Sequence, residues 1–250
     1  MKQANNLKGK VALVTGGSRG IGKAIAEALA AEGASVAISY VNSADKANNL
    51  VAELKKQDIQ AIAIKADQAD PKQVAQLVKE VHKHFGRLDI LVNNAGLFVP
   101  SPVGQEENLA ELDRQLAVNV GGVIAAIRTA APLLSDGGRI ISIGSVVGTR
   151  TAFPGLADYG LTKAAVAGYS RGAARDLAPR KITVNVVQPG PIDTDMNPDS
   201  GDFAASLKAN LALPRYGKAE EIAAGVVFLA SPAASFITGT TLDIDGGYNA

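Results

Sequence analysis

The chain has 250 residues, 47% of them hydrophobic, enough to bury a large core within one domain. Lys and Arg number 25 against 24 Asp and Glu, a formal charge of +1, so no general electrostatic case exists for nucleic acid or an anionic membrane, and small molecules or other protein chains are the expected partners. Cysteine is absent, which excludes disulfides, thiolate metal sites and cysteine nucleophiles and suits a reducing cytoplasm.

In chain order, the opening MKQANNLKGK lacks the apolar core of a signal peptide. No later run approaches the ~20 apolar residues that span a bilayer, so a soluble, cytoplasmic protein is expected. Short β-rich runs then alternate with longer helical ones. KVALVT at 10–15 precedes GIGKAIAEALAAEG, SVAISY at 35–40 precedes ADKANNLVAELKKQ, and AIAIKAD at 61–67 precedes PKQVAQLVKEVHKHFG, whose Pro71 suits a first helical turn. DILVNNAG at 89–96 leads into a long helical stretch to about residue 134, and GRIISIGS at 138–145 into a helix carrying DYGLTKAA at 158–165. KITVNVVQPG at 181–190, two more helical segments and TTLDIDGG at 240–247 follow. Runs such as LVTG and ILVN are apolar without strict alternation, as in strands covered by helices on both faces. The expected fold is α/β, a Rossmann-type doubly wound parallel sheet forming one domain over 1–250. No short repeat, linker or low-complexity segment suggests an internal boundary.

TGGSRGIG at 15–22 lies between the first strand and the first helix, where backbone amides and a helix N-terminus favour a phosphate. Gly16, Gly20 and Gly22 permit a tight turn and close approach to a pyrophosphate, with Ser18, Arg19 and Ile21 completing the loop. The first gap is wider than in GxGxxG. The second strand ends in Ser39, Tyr40, Val41, Asn42 and Ser43, without the acid that hydrogen-bonds a ribose 2′-OH in NAD enzymes. Arg19 can pair with a 2′-phosphate, so NADP(H) is favoured over NAD(H) with Tyr40, Asn42 and Ser43 at that edge; a solvated surface Arg19 is the plainer alternative.

Tyr159 and Lys163 stand four apart in a helical run, so phenol and ammonium share one face. Lowering a phenol pKa by three units takes about 4 kcal/mol. An ammonium at ~4 Å supplies about 4 kcal/mol at an effective dielectric near 20, so Lys163 can account for much of such a shift. The pair alone arises often by chance. Ser145, fourteen residues upstream, ends a strand at the carboxyl edge where open α/β sheets bind ligands; its hydroxyl can orient a substrate carbonyl, or simply begin a loop.

TGGSRGIG, NNAG at 93–96, Ser145, YGLTK at 159–163 and PGPIDT at 189–194 occur in an order that, from about residue 7 to 248, resembles the short-chain dehydrogenase/reductase family. The resemblance implies a catalytic group of Asn119 (in LAVNVGG), Ser145, Tyr159 and Lys163. Tyr159 would protonate the carbonyl oxygen, Lys163 lower its pKa and bind the nicotinamide ribose, Ser145 hold the substrate oxygen, and Asn119 position water in a proton relay. It also implies that NNAG supports the sheet and cofactor through Asn93, Ala95 and Gly96. Asp67, followed by Gln68, would bind the adenine, and Pro189, Gly190, Ile192 and Thr194 the nicotinamide. Asp67 alone reads as a turn or cap residue. Asn119, a weak helix former ahead of Gly121 and Gly122, is consistent with a local helical irregularity.

The segment 189–214 matches the family's substrate-covering region, and its Asp193, Asp195, Asp199 and Asp202 disfavour a strongly anionic substrate, unless they only solvate a loop. IGSVVGT at 143–149 and ITVNVVQPG at 182–190 are similar to the 3-oxoacyl-acyl-carrier-protein reductases. Those usually carry basic residues after the long helix. LLSDGGRI has only Arg139, and one extra residue separates Ser145 from Tyr159; Arg128 and Arg171 remain candidates for a docking patch. The resemblance therefore implies an NADPH-dependent oxidoreductase reducing a ketone or aldehyde to an alcohol, reversibly. Acyl-carrier-protein reduction is second, with a sugar dehydrogenase and a non-catalytic NADP-binding regulator further alternatives. A homotetramer is implied, for which AEEIAAGVVFLAS at 219–231 reads equally as interface or core helix. His82 and His84 read as a solvated helix end, and DIDGG at 243–247 as a turn rather than a calcium loop, so no metal is expected.

Overall fold

β1 (Val11–Val14), β2 (Ser35–Tyr40), β3 (Ala61–Lys65), β4 (Leu88–Asn93), β5 (Leu134–Ile143), β6 (Thr183–Pro189) and β7 (Thr241–Ile244) form one sheet in the order β3-β2-β1-β4-β5-β6-β7. All neighbours are parallel. The computed structural model describes residues 6–105 and 108–250, so the first five residues of MKQANNLKGK lie outside the described residues. The chain winds from β1 out to β3, then crosses back to set β4 against the other side of β1. That reversal opens a crevice at the carboxyl ends of the two central strands.

The helices are α1 (Gly20–Ala31), α2 (Ala44–Lys55), α3 (Pro71–Phe85), α4 (Leu109–Leu116), α5 (Gly122–Ala130), α6 (Ala157–Leu177), α7 (Gly201–Ala209) and α8 (Ala219–Ala230). Ala12 and Val14 join Ile25 and Leu29 of α1 and Ile222 and Leu229 of α8 on one face of the sheet. Val11 and Leu13 join Val74 and Leu77 of α3, Ile127 of α5 and Val166 of α6 on the other. Strand side chains alternate between faces, and because both faces of β1 are covered, all four of its residues are apolar and buried. Leu13 is fully buried, a contribution of about 2–3 kcal/mol by transfer from water.

Local chemistry sets the ends of the elements. Pro71 opens α3 after Asp70, whose carboxylate accepts from the amide of Lys72 at 2.8 Å, and Gly86 closes it with φ of 74°. The long helical stretch stops at Ala130 rather than near 134, because Pro132 lacks the N–H a further turn needs. β5 correspondingly begins at Leu134, paired with Leu88, and its register slips before Arg139 meets Ile90. Between α4 and α5 the helix widens into a π turn, Ala117–Gly121. This is the irregularity expected around Asn119.

Candidate active site

Three loops at the carboxyl ends of β1, β2 and β4 are tied together by side chains. The Thr15 hydroxyl accepts from the amides of Asn94 (3.0 Å) and Ala95 (3.1 Å), while the Thr15 amide donates to the Val92 carbonyl at 3.0 Å. Ser39, buried in β2, accepts from the Gly16 amide through its hydroxyl at 3.1 Å and from the Gly17 amide through its carbonyl at 3.1 Å. Gly16 adopts φ of 64° and Gly20 φ of 52°, the left-handed region where a side chain is strained. No side chain caps α1, so the amides of its first turn face the crevice without a side-chain partner among the described residues, the arrangement that receives a phosphate.

The packing behind the loop leaves no space for a methyl group. A Cβ on Gly22 would come 2.5 Å from Nδ2 of the Asn94 side chain, and one on Gly16 would come 2.9 Å from the Ala95 Cα. Gly22→Ala is expected to cost about 1–3 kcal/mol in overpacking, read as a lower urea midpoint with unchanged slope. An undiminished midpoint would mean that the loop yields without resistance.

β5 and α6 bring the reactive side chains to the same crevice. Ser145 follows β5 in extended conformation, and its hydroxyl accepts from the Val147 amide at 3.2 Å. Lys163 is buried, its Nζ donating to the Ile143 carbonyl at 3.0 Å and lying 5.5 Å from the centroid of the Tyr159 ring. Tyr159 is half-buried, with Phe98 edge-on to its ring at 5.0 Å. Withdrawal from water pushes the phenol up to about 12, against a smaller lowering by its hydrogen bond to Ser145. The same withdrawal pushes Lys163 down to about 8. The phenol is thus raised where the charge argument predicted lowering. Both groups titrate toward their neutral forms because burial outweighs an ammonium that is directed at a backbone carbonyl.

Asn119 sits in the π turn, where its Oδ1 accepts from the Leu97 amide at 2.8 Å and its Nδ2 donates to the Leu97 carbonyl (2.9 Å) and the Thr162 hydroxyl (3.1 Å). The widened turn points this amide at the chain leaving β4 and at α6, fixing the height of the Tyr159 helix. A Cβ on Gly96 would lie 3.4 Å from Asn119 Oδ1 and 3.7 Å from Lys163 Nζ. A methyl group there would therefore sit in ordinary van der Waals contact with both groups.

The crevice is a cavity of about 820 Å³. Every site residue predicted from sequence lines it except Asn93 and Asn119. Asn93 is buried inside the sheet, donating to the Ser142 hydroxyl of β5 at 3.2 Å. Its neighbour Asn94 faces the crevice instead, donating to the carbonyls of Thr15 (3.0 Å) and Gly16 (3.2 Å). Asp67 keeps its turn role, accepting from the Ala69 amide at 2.9 Å, and is also gripped by both contacts of Arg114 at 3.0 and 3.1 Å. Arg114, Phe98 and Phe153 line the cavity without having been singled out from the sequence, and Met196 and Phe203 join them from the expected covering segment 189–214. Phe153 and Phe203 meet edge-on at 5.8 Å and, with Phe98, make the wall beside Tyr159 apolar.

Asp199 pairs with Lys208, and Asp195 with Lys46 (3.3 Å) and Arg19 (3.8 Å), so much of the acidity of the covering segment is balanced. Arg139 turns inward, donating to the carbonyls of Gly137 and Gly138, and is 9% exposed. Arg128 and Arg171 are exposed. In the DIDGG run, Asp245 accepts from the amides of Gly247 (2.8 Å) and Asn249 (3.0 Å), making the turn expected there.

A family model described as enoyl-(acyl carrier protein) reductase matches residues 16–249. The cyclic-di-GMP-binding biofilm dispersal mediator protein of Escherichia coli is 43% identical over 242 residues, covering 97% of this chain and 98% of the relative. A 3-oxoacyl-[acyl-carrier-protein] reductase of Staphylococcus aureus is 43% identical over 241 residues, covering 95% and 97%. The crystal structure of a short-chain dehydrogenase from Burkholderia cenocepacia in complex with NADP superposes with a TM-score of 0.96 at 51% identity, over 98% of this chain and 100% of the other.

Proposed function

The chain belongs to the short-chain dehydrogenase/reductase family, and on that premise we propose that it is an NADPH-dependent reductase of a small ketone or aldehyde, reversible as an alcohol dehydrogenase. The observation that carries this reading is the meeting of Tyr159, Ser145 and Lys163 in one cavity with the glycine loop. The residues present fit a dinucleotide. Gly20 faces Thr194 across the crevice in a left-handed conformation that favours glycine, and a Cβ there would touch Thr194 Cγ2 at 3.5 Å and narrow the slot between the phosphate loop and the segment after β6. Arg19, with no acid at the end of β2, suits a 2′-phosphate, and NADP is the ligand of the Burkholderia relative.

A bound reduced nicotinamide supplies the hydride. Tyr159, protonated at neutral pH, donates its phenolic proton to the carbonyl oxygen while Ser145 hydrogen-bonds that oxygen and fixes its position. Lys163 would hold the nicotinamide ribose and offer charge to the phenolate left behind. Asn119 holds the chain after β4 in register with α6 and keeps a free lone pair on Oδ1 for a water. Residues 189–214 cover a substrate that is uncharged beside the carbonyl, because the wall there is Phe98, Phe153 and Phe203. That wall disfavours sugars.

The second reading, acyl-carrier-protein reduction, is supported by the Staphylococcus relative and by exposed Arg128 and Arg171. The inward turn of Arg139 removes one cation from any docking patch. A regulator that binds NADP without turnover would have no use for Tyr159 and Lys163 paired in the crevice. We further propose that residues 1–250 act as one dinucleotide-binding domain in a cytoplasmic homotetramer. α8 fits an interface in leaving Phe228 exposed beside its buried face.

The test is a panel of carbonyl compounds followed by NADPH and NADH absorbance in parallel. Turnover with NADPH preferred is expected. Arg19→Ala should raise the NADPH KM about 10-fold, the loss of one charge-assisted hydrogen bond, and leave the NADH KM unchanged. A clear NADH preference, or NADPH binding with no oxidation by any member of the panel, would sink the reading.

A further inference from the structure

We propose that Asp195 is an internal competitor for the site of the cofactor's 2′-phosphate, and that Lys46 is a second cation for that phosphate beside Arg19. The proposal rests on the NADPH reading above and adds what sets the strength of the preference. Asp195 directly follows Thr194 in the segment that covers the crevice, and it lines the cavity together with Arg19, Asn42 and Ser43. Its Oδ2 is 3.3 Å from Lys46 Nζ and 3.8 Å from Arg19 Nη1.

One carboxylate therefore serves two cations from two different elements, the turn into α1 and the first turn of α2. Among the described residues neither cation pairs with any other acid. The side chains of Arg19, Lys46 and Asp195 are 56%, 60% and 62% exposed, so these contacts are weak, screened by salt and easily exchanged. A phosphate carries nearly twice the charge of a carboxylate and three acceptor oxygens, so it takes both cations from Asp195. Asn42 and Ser43 at the β2 edge add neutral donors and no repulsion.

The consequence is directional. Binding of NADPH must break the Asp195 contacts, whereas NADH, without a 2′-phosphate, leaves them in place. Asp195 therefore holds down the selectivity for NADPH, and Lys46 raises it.

The test is fluorescence titration of NADPH and NADH, without substrate, onto the unsubstituted protein, Asp195→Asn and Lys46→Met, with adenosine 2′,5′-bisphosphate and adenosine 5′-monophosphate as competing probes. Asp195→Asn is expected to tighten NADPH and the bisphosphate about 3-fold, and Lys46→Met to weaken them about 5-fold. NADH and the monophosphate should move less than about 2-fold, and both effects should shrink at high salt. An Asp195→Asn protein whose NADPH-to-NADH affinity ratio is unchanged or lower overturns the competitor, and a Lys46→Met protein with an unchanged ratio overturns the second cation. If neither dinucleotide binds the unsubstituted protein, the NADPH reading fails and this inference with it. Binding of both with a ratio that neither substitution moves sinks the inference alone.

Discussion

Tyr159→Phe is expected to slow ketone reduction by about 10²–10⁴-fold, the range for loss of a positioned general acid, while NADPH affinity stays within about 3-fold. The phenyl ring keeps the edge-on contact with Phe98 and loses only the hydroxyl. The pH profile adds a second signature. With the phenol pushed up to about 12 by burial, the protonated form needed for reduction persists through neutral pH, so the Tyr159 contribution to reduction is flat there and falls only as pH nears 12. Alcohol oxidation needs the phenolate as base, so its rate should climb with pH over the same range, about tenfold per unit where this ionisation limits. Initial rates in both directions from pH 6 to 10 check this, with the variant as control. A variant retaining more than about a tenth of the activity would show that the proton comes from another group.

The strands were legible because a sheet covered on both faces needs apolar residues at every position, as in Val11–Val14, and that demand leaves few other readings of the run. β5 starts four residues before the expected Gly138, since Leu134, Ser135, Asp136 and Gly137 carry no strand pattern and join the sheet through a register slip beside Leu88. The glycine loop, Ser145, Tyr159 and Lys163 were legible because each belongs to one short run at a strand end or on a helix face. Asn93 and Asn94 could have been separated by the period of two along β4: Ile90 and Val92 share one face of the sheet and Leu91 the other, and the strand ends with Asn93 inside the sheet.

What escaped was whatever depends on residues distant in the chain. Lys46 and Asp195 are 149 positions apart, and Asp67 and Arg114 are 47 apart. No local pattern announces such pairs. The aromatic wall is of the same kind, since Phe98, Phe153 and Phe203 come from three loops or helix starts and meet only after folding. The electrostatics of Tyr159 escaped for a different reason. Spacing alone shows that an ammonium is near, but not that its protons go to Ile143 or that both groups are withdrawn from water.

Lys163→Met should abolish reduction to the same extent as loss of the phenol and, at pH 7, make the fold more stable. Burial holds the folded-state pKa at about 8, against 10.5 in the unfolded chain. Between those values the unfolded state binds more protons, so stability rises with pH through that window, and below pH 8 the full cost of a buried ammonium is present, about 3 kcal/mol. Met fills a similar volume without charge and removes that cost. Losing the hydrogen bond to the Ile143 carbonyl gives back about 1–3 kcal/mol. The net gain at pH 7 is therefore about 1 kcal/mol, and the stronger signature is the slope. Tyr159, raised to about 12 from 10.0, makes stability fall as pH rises from 10 to 12 in both proteins, so it cancels in the comparison. Urea midpoints of the two proteins at pH 7, 9 and 10 should show the native protein gaining on the variant as pH rises. If the difference stays constant, the Lys163 proton is retained on folding, and the ammonium beside the Ile143 carbonyl is stabilised by its surroundings rather than strained by them.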